Sequence, residues 1–328
     1  MKIGMIGLGN MGTAVANNIA DNGHAVTGWE YDREAVDEIN RFHRNTRYLK
    51  GVKLSSRIKA TTDIEEALCG KDIVFVALPS KYIKPVLAGF ASCASKRSLI
   101  VNLSKGIEEG TGVTASGILS KIFKRNKVLV LSGPSIANEF ARGYPCMVVL
   151  TGERRKDLCK AAAAVETPVF RARFSNDKIG VEWSGILKNI YAIGLGIIHG
   201  MGLESINFKA AYITRALEEM ISLTEAMGGK SSTVLDFAGL GDLIATSLSE
   251  HSHNRRFGEM LAEGRSLAYA EKKLGVLPEG LKALRAARIL SKKYRRKMPV
   301  AEAILEVVEK KIKPKALIES FMDPGVRC

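Results

Sequence analysis

The sequence predicts an α/β domain built on a parallel β-sheet, followed by an all-α domain. In the first half of the 328-residue chain, short runs rich in Val, Ile and Leu alternate with amphipathic segments. This alternation is typical of strands that are buried on both faces and joined by helices. From about residue 180, apolar residues recur at helical spacing and no convincing strand pattern remains. We therefore expect two domains, 1–179 and 180–328, since domains hold roughly 100–200 residues.

The predicted elements follow these periodicities. Strands are expected at 3–6, 25–29, 73–78, 99–103, 128–131 and 147–150, with helices at 11–21, 33–42, 64–68 and 113–123. In the second domain, helices are expected at 180–200, 209–227, 255–262, 267–274 and 281–293.

Composition excludes several classes of protein. With 46% hydrophobic residues the chain can bury a core, which excludes a disordered protein. No apolar stretch reaches the ~18 residues of a membrane span, and no signal peptide pattern opens the chain, so we expect a cytoplasmic protein. The cysteine and histidine spacings predict no metal site. A formal net charge of +15 predicts an anionic partner: nucleic acid, a membrane surface or a phosphorylated small molecule.

The strongest motif is Gly7-Leu8-Gly9-Asn10-Met11-Gly12, which follows the first predicted strand and opens the first helix. Its glycines allow a tight turn, a close approach of a pyrophosphate and helix packing on the strand, so it predicts a Rossmann-type dinucleotide-binding domain. Glu30 lies 18 residues after Gly12, at the end of the second strand, next to Tyr31. A carboxylate there accepts a hydrogen bond from the ribose 2′-hydroxyl and favours NAD over NADP. A solvated loop acid is the alternative, and the nearby Arg33 leaves NADP open.

Three further loops follow strands at the same predicted sheet edge, where cofactor crevices form. They are Leu78-Pro79-Ser80, the segment 102–106 with Lys105, and Ser132-Gly133-Pro134-Ser135. Lys105 could attract a phosphate or a developing oxyanion, or be an ordinary surface lysine. Gly133 and Ser135 could meet a ligand, or Ser135 could cap a helix at 136–141.

The helical half holds one lysine in apolar surroundings. Lys188 lies within the predicted helix 180–200, where desolvation lowers the pKa of a lysine and suits it to proton transfer. Alternatively, its side chain reaches solvent. The segment 252–258 places Arg255 and Arg256 at a predicted helix start, which suits a phosphate or is a solvated helix end.

In their order along residues 1–320, these motifs resemble the bacterial NAD(P)-dependent glycerol-3-phosphate dehydrogenases. The resemblance implies reversible reduction of dihydroxyacetone phosphate to sn-glycerol 3-phosphate, feeding glycerophospholipid synthesis, with Lys188 as general acid and base and Lys105 beside it in catalysis. It implies substrate binding by Lys105, Gly133, Ser135, Asn189, Asp242, Thr246, Ser252, His253, Asn254 and Arg255. It implies cofactor binding by Gly7, Gly9, Asn10, Met11, Gly12, Glu30, Tyr31, Pro79, Lys105, Ala137, His253, Leu277 and Glu279.

The chain departs from this family at three places. His253 stands where an arginine usually binds the substrate phosphate, so Arg255 or Arg256 compensates, phosphate binding is weaker, or the substrate differs. Asn10-Met11 replaces a small residue and an aromatic one, and Pro278 replaces a smaller or aliphatic residue.

Two other functions remain open at this point. A 3-hydroxyacid dehydrogenase shares the glycine motif, but the adjacent Lys188 and Asn189 favour the first function. A basic nucleic-acid-binding Rossmann protein is suggested by residues 282–297, which hold eight basic residues and no acidic one, although aromatic residues are not interleaved with them. We expect no nucleic-acid partner and no membrane span. Surplus apolar faces in the helical domain predict a homodimer.

Overall fold

The computed structural model describes residues 1–108, 110–250 and 252–322. The chain divides into two compact units, an N-terminal unit of residues 1–178 and a C-terminal unit that begins at Ile179. The second predicted domain runs to Cys328, and its residues 323–328 lie outside the described residues.

The N-terminal unit contains an eight-stranded sheet of order β3-β2-β1-β4-β5-β6-β7-β8. Its strands are Lys2–Ile6 (β1), Ala25–Trp29 (β2), Ile58–Thr61 (β3), Ile73–Val76 (β4), Leu99–Asn102 (β5), Lys127–Ser132 (β6), Cys146–Thr151 (β7) and Phe170–Ser175 (β8). Neighbouring strands are parallel except β6 and β7, which are antiparallel. The predicted α/β class is confirmed. The apolar pattern does not reveal β3 or β8, because Lys59 interrupts the first and Arg171 and Arg173 the second.

Helices cover both faces of this sheet. They are Asn10–Asp21 (α1), Arg33–Phe42 (α2), Ile64–Leu68 (α3), Ser80–Leu87 (α4), Ala115–Ile122 (α5), Ala137–Phe140 (α6) and Arg155–Val165 (α7), with a 3-10 turn at Ala88–Phe90. Successive residues of a strand point to opposite faces. Accordingly, Ile73 and Phe75 of β4 join one apolar cluster, and Val74 and Val76 join another. The sheet is thus buried on both faces, and loops follow the ends of its strands.

The C-terminal unit is all-α over its described residues, as predicted. Its helices are Lys178–Gly200 (α8, whose first residue belongs to the N-terminal unit), Ile206–Ala226 (α9), Ser231–Val234 (α10), Asp242–Leu248 (α11), His253–Ala262 (α12), Leu267–Leu274 (α13), Glu279–Tyr294 (α14), Pro299–Val308 (α15) and Pro314–Met322 (α16). A π-helical turn at Phe237–Gly241 precedes α11. Among the described helices, none combines the length and the apolar character that crossing a membrane requires.

Candidate active site

The glycine turn between β1 and α1 is built from backbone atoms. Gly7 has a φ of +93°, and its N–H donates to the Trp29 carbonyl at 3.0 Å. A Cβ at Gly12 would lie 1.8 Å from the Gly7 carbonyl oxygen, so only glycine permits this approach. A Cβ at Gly9 would meet no atom within 4 Å. The turn is therefore tightly packed at Gly7 and Gly12 and open to a ligand at Gly9.

The N-terminus of α1 suits a phosphate group. Gly9 is its N-cap, no side chain among the described residues caps it, and its first turn holds no acidic residue. The first N–H groups of a helix carry a partial positive charge that attracts anions. Asn10 is exposed and Met11 half-buried at this end of the helix. These features fit a dinucleotide pyrophosphate.

Glu30 follows β2 and is buried beside the glycine turn. Its carboxylate accepts hydrogen bonds from the backbone N–H groups of Leu8 at 3.0 Å, Tyr31 at 3.1 Å and Asp32 at 3.4 Å. Burial raises the pKa of Glu30, and these hydrogen bonds oppose the shift. Glu30 therefore ties the glycine turn to the end of β2, a structural role that its spacing does not reveal. Tyr31 itself is exposed.

The loops after β4 and β5 are joined to each other. Ser104 Oγ donates to the Leu78 carbonyl at 2.5 Å, and Ser80 Oγ donates to the Ile107 carbonyl at 3.1 Å. Pro79, between the bonded residues, is exposed. The structure thus brings two of the three predicted strand-end loops together, with Pro79 accessible.

Lys105 reaches the third loop, which follows β6. Its Nζ donates to the Gly133 carbonyl at 3.1 Å, and Ser135 Oγ donates to the same oxygen at 3.0 Å. The alternative in which Ser135 caps a helix is wrong, because Ile136 is the N-cap of α6 and Ser135 is bonded elsewhere. Ala137 is the buried first residue of that helix.

Lys188 lies in the middle of α8 and is 5% exposed, so the alternative in which it reaches solvent is wrong. Its Nζ donates to Asp242 Oδ1 at 2.8 Å and also to Thr246 Oγ1. The two partners lie one turn apart on α11, and Asp242 is 2% exposed. Burial and an opposite charge together hold the ammonium in one position. The sequence motif contains Lys188 but gives no sign that a residue 54 positions away is its partner.

Asn189 links α8 to the starts of α12 and α14. Asn254 Nδ2 donates to Asn189 Oδ1 at 3.0 Å, and the Gly280 N–H donates to Asn254 Oδ1 at 3.0 Å. Both ends of the Asn254 amide are therefore used, and Asn189 is fixed next to Lys188.

Glycines allow these helices to meet. A Cβ at Gly196 would lie 2.0 Å from the Arg255 carbonyl oxygen, and one at Gly258 would lie 2.0 Å from the Ile193 carbonyl oxygen. A Cβ at Gly280 would lie 2.6 Å from a carbonyl oxygen of α8. These backbone contacts place the start of α12 beside α8.

The segment that opens α12 carries the predicted phosphate-binding residues. Ser252 Oγ caps the helix by accepting from the Arg255 N–H at 3.2 Å. Arg255 Nε also pairs with Glu259 Oε1 at 3.0 Å, so its guanidinium is already engaged along α12. His253 and Arg256 are exposed. Although His253 is exposed as a residue, partial desolvation of its ring lowers its pKa from the ordinary value, and the positive charge of Arg256 adds to the shift.

The segment before α14 holds the last two predicted cofactor contacts. Leu277 and Glu279 are half-buried, and Glu279 is the first residue of α14. Pro278 is the N-cap of this helix, with φ −68°. That value is the one proline prefers, so the departure at Pro278 is accommodated without strain.

Two polar residues that the motifs do not single out hold the glycine turn. Asn45 is fully buried, and its Nδ2 donates to the Leu8 carbonyl at 2.8 Å and to Thr13 Oγ1 at 2.9 Å. Thr13 Oγ1 in turn donates to the Leu8 carbonyl at 2.6 Å. In the sequence, the one local indication of this arrangement is the threonine that directly follows Gly12.

A second buried carboxylate lies in the C-terminal unit. Glu219 of α9 is 6% exposed and accepts from Tyr191 Oη at 2.9 Å and from the Val300 and Ala301 N–H groups at 2.6 and 3.1 Å. It thereby caps α15 and joins it to α8 and α9. Burial raises the pKa of Glu219 to about 7 against these hydrogen bonds. Within residues 1–108, 110–250 and 252–322, no group of three or more His, Cys, Asp or Glu side chains could hold a metal ion.

Comparison with known proteins finds two family models. Residues 2–158 match the N-terminus of NAD-dependent glycerol-3-phosphate dehydrogenase, and residues 177–319 match its C-terminus. The chain is 40% identical to the NAD(P)+ glycerol-3-phosphate dehydrogenase of Bacillus velezensis, over 98% of this chain and 94% of that protein. The Bacillus subtilis enzyme is 38% identical, over 99% and 94%.

Solved structures show the same similarity. Glycerol-3-phosphate dehydrogenase from Coxiella burnetii superposes with a TM-score of 0.91 at 31% identity, covering 98% of each chain. The yeast enzyme superposes with a TM-score of 0.85 over 98% of this chain and 99% of that one, but at 23% identity it supports the fold alone.

Proposed function

The chain belongs to the NAD-dependent glycerol-3-phosphate dehydrogenase family, and from that premise we propose that it interconverts dihydroxyacetone phosphate and sn-glycerol 3-phosphate with NAD(P)H. The product would supply glycerophospholipid synthesis. The observation that carries this proposal is the buried pair of Lys188 and Asp242 with the half-buried Thr246, because reduction of a ketone needs a proton donor that is held in place away from water.

Bound NAD(P)H supplies the hydride that reaches the ketone carbon. Lys188 donates a proton to the carbonyl oxygen as negative charge develops there, and it removes that proton in the reverse direction. Asp242 and Thr246 orient the ammonium through the hydrogen bonds already described. Asn189, fixed by Asn254, orients the substrate beside Lys188.

The other residues predicted to bind the substrate fall into two groups, one in each unit. In the N-terminal unit, we propose that Lys105, Gly133 and Ser135 bind substrate and that Lys105 also neutralises charge during the reaction. In the C-terminal unit, the opening turn of α12 binds the phosphate through the predicted residues Ser252, His253, Asn254 and Arg255. Because the Arg255 guanidinium is already paired with Glu259, Arg255 does not fully replace the arginine that His253 substitutes for. This supports the alternative in which the substrate phosphate is bound more weakly.

The cofactor site favours NAD. Glu30 lies beside the glycine turn, and Asp32, whose N–H donates to Glu30, carries a second carboxylate two residues further along the chain. Arg47 Nη1 is paired with Asp32 Oδ2 at 2.6 Å, so this cation is committed to a protein carboxylate. A 2′-phosphate would meet two carboxylates in this region, which supports NADH over NADPH.

Steady-state assays test this function. Purified protein is given dihydroxyacetone phosphate with NADH or with NADPH, and unphosphorylated dihydroxyacetone serves as the matched control. We expect turnover with the phosphorylated ketone and a higher kcat/KM with NADH. Turnover with the unphosphorylated ketone alone would show that His253 marks a changed substrate, and inactivity with both would contradict the proposal.

Assembly and location are proposed separately. We propose a homodimer in the cytoplasm, supported by large exposed apolar side chains of the C-terminal unit such as Ile206 (81%) and Leu248 (72%). Sedimentation equilibrium at micromolar concentration should give twice the mass of one chain, and a monomer mass would exclude the dimer. Cell fractionation should find the protein with cytoplasmic markers, and recovery with membranes would contradict that location.

A further inference from the structure

The backbone of Leu8, inside the glycine turn, is fixed by side chains from three parts of the N-terminal unit. Asn45 lies in the loop between α2 and β3, and its Nδ2 donates to the Leu8 carbonyl at 2.8 Å. Thr13 Oγ1 donates to the same carbonyl at 2.6 Å and accepts from Asn45 Nδ2 at 2.9 Å. The Leu8 N–H donates to Glu30 Oε2 at 3.0 Å. All three side chains are buried, so both backbone polar groups of Leu8 are held away from water.

This arrangement sets the direction of the next N–H along the chain. The peptide unit that joins Leu8 to Gly9 is trans, so the Gly9 N–H points away from the Leu8 carbonyl. Since that carbonyl points at the buried Asn45, the N–H points to the opposite side of the turn. Within the described residues, none accepts a hydrogen bond from the Gly9 N–H. A Cβ built on Gly9 would meet no atom within 4 Å, so this side of the turn is open to a ligand.

We propose that Asn45 is a positioning residue for cofactor binding, which acts through the Leu8 carbonyl to aim the Gly9 N–H at the pyrophosphate of NADH. This role rests on the proposed function, because it requires the cofactor to bind at the glycine turn. An N–H that is aimed before the anion arrives needs no reordering when the anion binds, and this preorganisation strengthens binding.

The other half of the Asn45 amide favours this role over a purely structural one. Asn45 Oδ1 is buried and has no hydrogen-bond partner within the described residues. A buried polar atom without a partner destabilises a fold, and a leucine of similar volume would avoid that penalty. The asparagine is therefore explained by its Nδ2, which bonds the glycine turn. The loop keeps it in place, because the Asn45 carbonyl accepts from the N–H of Leu49, a residue of the apolar core, at 2.7 Å.

Steady-state kinetics of the full-length protein with dihydroxyacetone phosphate test this role. In Asn45→Leu, the KM for NADH should rise about tenfold, as expected for a weakened hydrogen bond to a charged acceptor, with kcat at saturating NADH within about twofold of wild type. Two inhibitors locate the effect, because ADP-ribose carries the pyrophosphate and adenosine does not. The inhibition constant of ADP-ribose should rise with the KM for NADH, and that of adenosine should stay unchanged.

Asn40→Leu is the matched control. Its amide exchanges hydrogen bonds of 2.9 and 2.8 Å with the backbone of Ala60 on β3. The control therefore loses an asparagine that fixes backbone elsewhere in the same unit, and its KM for NADH should equal that of wild type. A second pair of variants decides the matter if Asn45→Leu does not fold. Thr13→Val should raise the KM for NADH about threefold, and Thr13→Ser, which keeps the hydroxyl, should restore it.

Three results would overturn this role of Asn45. The first is a KM for NADH within twofold of wild type in Asn45→Leu or, if that variant does not fold, in Thr13→Val. The second is an equal loss of ADP-ribose and adenosine binding, and the third is an equal rise of KM in Asn40→Leu. Wild-type protein that neither binds NADH nor reduces the ketone would instead contradict the proposed function itself, and this role with it.

Discussion

The two units contribute different kinds of chemical group to the proposed reaction. In the N-terminal unit, backbone groups dominate: the glycine turn, the uncapped start of α1 and the loops at strand ends. In the C-terminal unit, buried side chains dominate, and Lys188 depends on Asp242, which lies 54 residues further along. A backbone site tolerates changes in side chains that do not fill its space, whereas a network of buried side chains fails when one member is removed.

The largest expected effect is on Lys188. Lys188→Met should lower kcat by about 10²–10⁴-fold, because the proton donor is lost. It also removes the ammonium that pairs with the buried Asp242 carboxylate at 2.8 Å, which costs about 3–5 kcal/mol of folding stability. The double variant Lys188→Met/Asp242→Asn removes that charge and separates the two effects: it should recover stability but not turnover. A single variant within tenfold of wild-type kcat would show that another group supplies the proton.

The next effect concerns pH and the C-terminal unit. Because the pKa of Glu219 is raised to about 7 from 4.5, the folded state holds its proton more tightly than the unfolded state. This stability is fully present below pH 4.5 and is lost as the pH rises through 7, amounting to about 3 kcal/mol. Urea unfolding of wild type and Glu219→Gln between pH 5 and 8 measures it. The difference between the two should shift in favour of the variant as pH rises, and a constant difference would contradict the assignment.

In the N-terminal unit, substitutions at two glycines distinguish the space proposed for the cofactor from the packing of the glycine turn. Gly12→Ala should destabilise the protein by about 1–3 kcal/mol, because its Cβ meets the Gly7 carbonyl. Gly9→Ala faces open space, so its unfolding free energy should stay within about 0.5 kcal/mol of wild type. Its Kd for NADH should nevertheless rise, since the methyl group occupies the space proposed for the pyrophosphate. Unfolding and fluorescence titration measure both quantities, and unchanged NADH binding in Gly9→Ala would place the cofactor elsewhere.

The smallest effect is at His253. His253→Arg should lower the KM for dihydroxyacetone phosphate by about tenfold at pH 7.5 with little change in kcat, because a charged hydrogen bond to phosphate contributes about 1.5–3 kcal/mol. His253→Gln is the matched control and should resemble wild type, whose neutral imidazole carries no charge. An unchanged KM in the arginine variant would show that the phosphate does not bind at the start of α12.

More of the N-terminal unit than of the C-terminal unit can be predicted from the sequence. The glycine turn is predictable because its form follows from short spacings along the chain, and the same spacing singles out Glu30 but not the hydrogen bonds by which Glu30 holds that turn. The partnership of Lys188 with Asp242 is not predictable, because it depends on how α8 and α11 pack. The same is true of Asn45, a loop residue that is identified as a support of the glycine turn only once the loop is folded. The strands β3 and β8 are missed for a related reason, since each holds polar side chains that interrupt the apolar pattern.

In the proposed reaction, cofactor binding and proton transfer are carried by separate groups of the protein. Fluorescence titration of NADH into Lys188→Met tests it most directly when turnover is measured on the same sample. We predict a Kd within about twofold of wild type alongside the loss of turnover. A Kd that weakens in parallel with kcat would contradict the claim, because Lys188 would then contribute to cofactor binding as well as to the proton.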